Sequence, residues 1–259
     1  MLKFLGSWLK RNPRVLRSSH RPSWKNWLGN LKAYPEQLVE PSSLKEVQDA
    51  VRLAREQGWV VRPCGTGHAW TPQVPTDGMI IKTSKLRSLL AIEGDIIHVE
   101  AGMTLREMVR HAKGVGLSVQ GSPIFSDISV GGIAATGSHG TGMVAGCFSD
   151  YVVGMTLVLG DGGILEIDES EPELLRAARV NLGVLGFVYS LKIKCLPAIK
   201  MHTRQISMPI QEGLDRLMEF AYEHRHASVF WFPFTDKFFA NISNPTDKKQ
   251  TFHKRHRWL

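Results

Sequence analysis

The segment from Ser129 to Gly142 constrains the fold of this chain more than any other. It reads SVGGIAATGSHGTG, with five glycines in fourteen residues and hydroxyl side chains between them. Glycine is costly inside helices and strands, so this stretch cannot form one regular element throughout. A backbone left this accessible usually allows a ligand to approach it. A buried tight crossover between two elements is the alternative.

A second glycine cluster, Gly65-Thr66-Gly67-His68, follows the strand-like run at 59–63. Glycines there let the backbone bend sharply and expose amide groups that can cradle a pyrophosphate. The cluster is not the usual dinucleotide fingerprint, because Trp70 stands where the third glycine would be. A simple tight turn is the alternative interpretation.

The surrounding pattern alternates helices and strands. Ser42 or Ser43 can cap a helix that ends at Gly58, and Thr104 can cap another that runs through Ala112. Two apolar runs around the turn at 160–163 predict a β-hairpin. A helix over 172–179 and a strand over 187–193 follow. This order of elements predicts an α+β fold of two α/β units.

After about residue 200 the pattern changes. Ile210, Leu214, Leu217 and Met218 have the spacing of one amphipathic helix, and an aromatic strand follows at 229–234. This part resembles the start of a further α/β element without its remainder.

The net charge of +8 is concentrated at the two ends of the chain. Residues 1–35 hold eight lysines and arginines and no acidic residue, and 248–259 are also basic. Solvated tails are the simplest interpretation. The apolar and basic residues of 1–17 also suit peripheral membrane contact or organelle targeting. If the segment does neither, we expect a cytoplasmic protein. No aromatic and basic RNA-binding motif is present, so we expect no nucleic-acid partner.

The three cysteines are widely and irregularly spaced. They form neither a disulfide framework nor a metal knuckle, so we expect a reducing compartment and no metal site. Cys64 lies beside the first glycine cluster and is expected to be a packing residue.

Three motifs together, GTGHAW, VGGIAATGSHGTG and LGVLGFV at 182–188, resemble the FAD-binding domain of the vanillyl-alcohol oxidase flavoprotein family. Within that family the chain resembles the aldonolactone and alditol oxidases. The resemblance covers roughly 35–200. It implies a PCMH-type FAD-binding domain with subdomains of about 35–101 and 102–200. A basic extension at 1–34 would precede this domain, and the incomplete beginning of a substrate-binding cap domain, 201–259, would follow it.

The resemblance also implies roles for individual residues. His68 would bond covalently to the C8α methyl of the flavin. The family usually has serine after this histidine, and Ala69 stands there, which puts one hydrogen bond to the cofactor in doubt. His139 is expected to orient its loop. The residues expected to bind FAD are Gly65, Thr66, Gly67, His68 and Ala69 at the pyrophosphate loop, Ser122, Asp127 and Ser129 near the ring and ribityl chain, Gly131, Gly132, Gly137, His139, Gly140 and Thr141 along the remainder, and Gly186 and Val188 at the adenosine half.

The resemblance implies a flavoenzyme that oxidises a CH–OH group of a sugar lactone or polyol and passes the electrons to oxygen or a cytochrome. The groups that activate the substrate are expected beyond the C-terminus of this chain. A non-catalytic flavin-binding fragment is therefore the alternative.

Overall fold

A computed structural model describes residues 21–249 of the 259. The predicted membrane or targeting segment at 1–17, and nearly all of the basic stretch at 248–259, lie outside the described residues. The strands are β1 (Trp24–Lys25), β2 (Lys32–Ala33), β3 (Gln37–Val39), β4 (Val61–Cys64), β5 (Met79–Lys82), β6 (Leu89–Glu93), β7 (Ile96–Glu100), β8 (Leu117–Ser118), β9 (Val152–Val158), β10 (Ile164–Asp168), β11 (Phe187–Lys194), β12 (Leu196–Pro197), β13 (Met201–Met208), β14 (His226–Trp231) and β15 (Phe238–Pro245). The helices are α1 (Leu44–Gln57), α2 (Leu105–Gly114), α3 (Val130–Ala135), α4 (Pro172–Arg179), α5 (Ile210–Asp215) and α6 (Leu217–Glu223), with a 3-10 turn at Phe148–Tyr151.

The first unit is a three-stranded parallel sheet in the order β3-β5-β4, with α1 packed against it. Ser43, rather than Ser42, caps α1, because its hydroxyl accepts a hydrogen bond from the Glu46 amide. Gly58 ends the helix in the left-handed conformation, as predicted. The buried stripe of α1 includes Val47 and Ala54, so its apolar face lies on the sheet.

The second unit is a five-stranded antiparallel sheet in the order β10-β9-β11-β7-β6. The predicted hairpin is confirmed as β9 and β10, joined by the glycine turn. Helices α2, α3 and α4 contribute buried residues to one core with this sheet, and α4 has the bounds that the sequence predicts. Thr104 and Glu107 form a capping box at α2.

The third unit is the antiparallel sheet β13-β15-β14 with α5 and α6. The prediction of one continuous amphipathic helix is wrong here. Arg216 ends α5 and precedes α6, so the apolar spacing does not continue along a single face. Leu214 and Met218 are exposed, while Gly213 and Phe220 are buried.

The predicted α+β class is confirmed by these mixed layers. The exact domain boundaries stay predictions. Within residues 21–249, no helix combines the length and the apolar character needed to cross a membrane.

Candidate cofactor-binding site

The two glycine-rich segments meet at one cavity of about 430 Å³, a size typical of small-molecule sites. The loop after β4 forms one wall and α3 forms another. The turn at 181–183 and Val188 close the cavity further along. The predicted residues that line the cavity are Gly65, Thr66, Gly67, His68, Ala69, Ser129, Gly131, Gly132 and Val188.

The loop after β4 bends where the sequence predicts. Gly67 has φ +76°, a conformation that favours glycine. The hydroxyl of Thr66 lies 3.0 Å from Nδ1 of His68, so the imidazole is held against its own turn. Burial raises the pKa of the Cys64 thiol, and this cysteine packs beneath the loop as expected.

A hairpin formed by β1 and β2 covers the outside of this loop. The Trp27 amide donates a hydrogen bond to the Gly67 carbonyl at 2.8 Å, and Asn26 Nδ2 donates one to the Ala69 carbonyl at 3.0 Å. The Trp27 indole stacks on the His68 imidazole with ring centroids 5.1 Å apart. These contacts span about forty residues and follow no local pattern, so Asn26 and Trp27 could not be predicted from the sequence.

Helix α3 forms the wall opposite this loop. Ser129 occupies its N-cap position, but its hydroxyl makes no capping hydrogen bond. A Cβ on Gly131 would lie 2.8 Å from the Ala101 side chain, so glycine is what allows α3 to approach the end of β7 this closely. A Cβ on Gly132 would meet only the Ser129 hydroxyl within 4 Å. At these positions the wall presents backbone and a hydroxyl to the cavity.

The hydroxyl of Thr83 is the one buried side-chain polar atom without a hydrogen-bond partner among the described residues. Thr83 follows β5 and lines the cavity beside Gly65. A buried hydroxyl without a partner is costly, and such groups mark places where something else supplies the hydrogen bond. Thr83 could not be predicted from the sequence, because a lone threonine after a strand carries no local signal.

The remaining predicted residues do not line the cavity. They are Ser122, Asp127, Gly137, His139, Gly140, Thr141 and Gly186. Gly140 packs against the Ser122 carbonyl, where a Cβ would come within 2.5 Å, and His139 donates from Nδ1 to the Gly140 carbonyl at 3.0 Å. Thr141 accepts a hydrogen bond at its carbonyl from His226 of β14, at 2.6 Å. These residues therefore contact the segment around the cavity and the third unit, and their roles toward a cofactor stay predictions.

Asp127 forms a bidentate ion pair with Arg106, at 2.6 and 2.7 Å. This hydrogen bonding by the guanidinium lowers the pKa of the Asp127 carboxyl. An oxygen pair occupied in this way is less available to a ligand.

His68 is the one titratable side chain among the described residues that line the cavity. The lining is otherwise backbone, apolar groups, hydroxyls and amides. No group of three or more histidine, cysteine or acidic side chains that could hold a metal occurs within 21–249. The arrangement suits a neutral or anionic organic ligand bound by backbone amides and hydroxyls.

These features fit FAD. Glycines leave backbone open along two walls, as a pyrophosphate requires, and the hydroxyls of Thr83 and Ser129 lie beside them. A histidine stands at the end of the first glycine turn, facing the cavity. No acidic side chain lines these walls among the described residues.

Comparisons with known proteins agree with this site. The family model described as "FAD binding domain" matches residues 35–168. L-gulonolactone oxidase of Scyliorhinus torazame is 30% identical over 227 residues, 85% of this chain and 52% of that protein. D-arabinono-1,4-lactone oxidase of Eremothecium gossypii is 31% identical over 239 residues, 88% of this chain and 45% of that protein.

The fold of this chain also resembles that of solved structures. A structure described as solvent-stable cholesterol oxidase superposes with a TM-score of 0.80 at 20% identity, over 89% of this chain and 49% of that one. This likeness confirms the PCMH-type fold. The chain spans about half the length of the relatives it matches. Since the family model covers more than half of the chain and its glycine loops form the cavity, the protein belongs to the FAD binding domain family, and FAD is its cofactor.

Proposed function

We propose that this chain is the FAD-holding part of an oxidoreductase that oxidises a CH–OH group of a sugar lactone or polyol. The names of its relatives support the substrate class, and the cavity at the two glycine-rich loops supports the place of the cofactor. FAD, when bound, supplies an acceptor for the two electrons of such an oxidation. The chain's own residues bind and orient the cofactor.

The position of His68 is the main support for placing the cofactor in this cavity. Its imidazole stands at the end of the glycine turn, lines the cavity, and is held by the Thr66 hydroxyl on one side and the Trp27 ring on a face. A neutral imidazole nitrogen is a competent nucleophile. We therefore propose that His68 carries the flavin covalently through its C8α methyl group.

The attachment balances with molecular oxygen as the oxidant. One N–C bond forms, the imidazole N–H and one methyl C–H bond are lost, and two electrons and two protons pass to oxygen as hydrogen peroxide. No acidic or basic residue besides His68 lines the described cavity. The group that takes the proton from the substrate hydroxyl must then come from elsewhere.

A denaturation experiment tests the attachment. The full chain is produced with riboflavin available, denatured in acid and separated by electrophoresis, with His68→Ala alongside. We expect flavin fluorescence on the wild-type band and none on the variant band. His111→Ala is the matched control, because His111 lies exposed in the last turn of α2 and does not line the cavity. Fluorescence released from the wild-type band would rule out covalent attachment.

Anaerobic reduction tests the oxidation. The flavin-loaded chain is mixed with an aldonolactone or an alditol, and bleaching of the flavin absorbance is followed before and after oxygen is admitted. Rapid reoxidation by oxygen would identify an oxidase, and reoxidation only by a cytochrome or dye would identify a dehydrogenase.

A non-catalytic flavin-binding chain is the second candidate, and one observation favours it. No base besides His68 lines the described cavity. If the chain is non-catalytic, the bound flavin should stay oxidised when a sugar lactone or polyol is added without oxygen. Bleaching at enzymatic rates would exclude it.

We also propose that the basic, apolar segment 1–17 makes peripheral membrane contact. Eight basic residues without an acidic one in 1–35 support attraction to an anionic surface. Flotation with anionic and with neutral vesicles, using the full chain and a chain that lacks 1–17, tests this. Binding that needs both anionic lipid and the segment is the expected result.

A further inference from the structure

The loop that carries His68 is held from outside by two neighbouring residues of the β1–β2 hairpin. The Trp27 amide bonds the carbonyl just before His68, and the Asn26 side chain bonds the carbonyl just after it. Asn26 is itself fixed, since its Oδ1 accepts from the Leu31 amide at 3.0 Å and the residue is buried. The backbone on both sides of His68 is therefore set by one short hairpin.

Fixing the backbone does not by itself fix the imidazole plane, and the Thr66 hydroxyl, 3.0 Å from Nδ1, holds only one atom of the ring. Rotation about the bond between Cβ and the ring is broad and nearly two-fold in histidine, so neighbours must define the ring plane. The Trp27 indole lies nearly parallel to the imidazole, with 17° between the planes. Phe125 is tilted by 35° and lies further away, at 6.4 Å between centroids. Trp27 is therefore the aromatic contact that matches the imidazole plane.

The stack is not an ordinary core contact. Trp27 is 62% exposed, so its indole gains little from burial. Trp27 is hydrogen-bonded to the Gly67 carbonyl through its backbone amide, which any residue other than proline also has. Replacing the side chain thus removes the ring contact while the hairpin keeps its hydrogen bonds to the loop.

We propose that Trp27 is a positioning residue for His68, whose ring contact holds the imidazole plane so that its nucleophilic nitrogen faces the cavity. This inference rests on the proposed attachment of the flavin at His68. Reaction rates depend steeply on the orientation of the attacking atom, so the rate of attachment is the sensitive quantity. The non-covalent affinity for FAD depends on the glycine walls and should not follow Trp27.

The test uses the full chain, produced without riboflavin and then given FAD. Covalent incorporation is followed over time by fluorescence on denatured bands. We expect Trp27→Leu to slow incorporation about tenfold or more, and Trp27→Phe, which keeps an aromatic face, to stay within about threefold of wild type. Trp231→Leu is the matched control, because Trp231 is similarly exposed, at 59%, and lies on β14.

A second measurement separates positioning from binding. In a His68→Ala background, FAD affinity is measured with and without Trp27→Leu, and we expect a difference of less than about twofold. An equal loss of affinity and rate would overturn the proposal, because Trp27 would then hold the cofactor or the loop. Incorporation at the wild-type rate in Trp27→Leu would overturn it as well.

A third measurement is independent of the flavin. If the wild-type chain forms no covalent bond, the proposed attachment is wrong, and the rate of carbethoxylation of His68 by diethylpyrocarbonate decides the role of Trp27. Loss of a ring stacked on the imidazole should raise that rate several-fold in Trp27→Leu and not in Trp231→Leu. Equal rates in the two variants would show that Trp27 does not hold the imidazole.

Discussion

A Cβ atom on Gly65 would lie 1.9 Å from the hydroxyl oxygen of Ser129. These residues are far apart in sequence, one after β4 and the other before α3, and their contact joins the two glycine-rich segments. The backbone of Gly65 is not left-handed, so glycine is required there by this close approach and not by its conformation. We therefore expect Gly65→Ala to lower the free energy of unfolding by about 1–3 kcal/mol and to weaken FAD binding.

Removal of the Ser129 hydroxyl should relieve this cost. In a Ser129→Ala background, Gly65→Ala should cost less than in the wild-type chain, because the hydroxyl oxygen is gone and only the Cβ of residue 129, 3.0 Å from the added atom, remains close. Urea unfolding of the two single variants and the double variant measures the coupling. An unchanged cost in both backgrounds would show that Ser129 is not the obstacle.

Thr83→Val should stabilise the protein without cofactor. The substitution removes a buried hydroxyl that has no partner among the described residues and keeps the shape of the side chain. We expect a gain of about 1 kcal/mol in the cofactor-free chain and a smaller gain, or a loss, with FAD bound. Thr83→Ser keeps the hydroxyl but loses a buried methyl group, so it should lower the stability of both forms by a similar amount and show no gain. A gain of equal size with and without FAD would mean that the hydroxyl does not meet the cofactor.

Sequence patterns predicted the elements whose causes are local. Helix α1 begins after Ser43, whose side chain caps it, and ends at Gly58, whose backbone takes the left-handed conformation. The turn at 160–163 joins β9 and β10 into a hairpin. The glycine loops were found for the same reason. Each of these signals lies within a few residues of the feature that it determines.

Contacts made across long sequence separations could not be predicted. Trp27 meets His68 through a hairpin whose strands have only two residues each, too short for any periodic pattern. Thr83 enters the cavity because β5 lies between β3 and β4, an order that no local signal determines. In the third unit, the break at Arg216 changes which face of the chain is buried, and apolar spacing alone does not reveal such a break.

Leu182→Asn should stabilise the turn that closes the cavity. Leu182 has φ +51°, a left-handed conformation that costs leucine about 1–2 kcal/mol and that asparagine tolerates better. Its side chain is about half exposed, so little burial is lost. We expect the midpoint of thermal unfolding to rise in the variant. Leu185→Asn, three residues further along the chain and without a positive φ, should give no rise, and equal shifts in both variants would contradict this explanation.

Tyr189 should make the stability of the protein depend on pH above neutrality. Burial, together with the hydrogen bond from its hydroxyl to the buried Glu100 carboxylate at 2.8 Å, raises the pKa of Tyr189 to about 12. The unfolded chain has a tyrosine pKa of about 10. Because the folded pKa is the higher one, the stabilisation is fully present below pH 10 and is lost as the pH rises from about 10 to about 12.

Tyr189→Phe should therefore unfold more easily at pH 7, by about 2 kcal/mol, because Glu100 loses a donor. The difference from wild type should narrow above pH 10. Urea unfolding at a series of pH values, with Tyr222→Phe at an exposed tyrosine as the control, measures this. A difference that stays constant up to pH 11 would show that the Tyr189–Glu100 hydrogen bond does not control the titration.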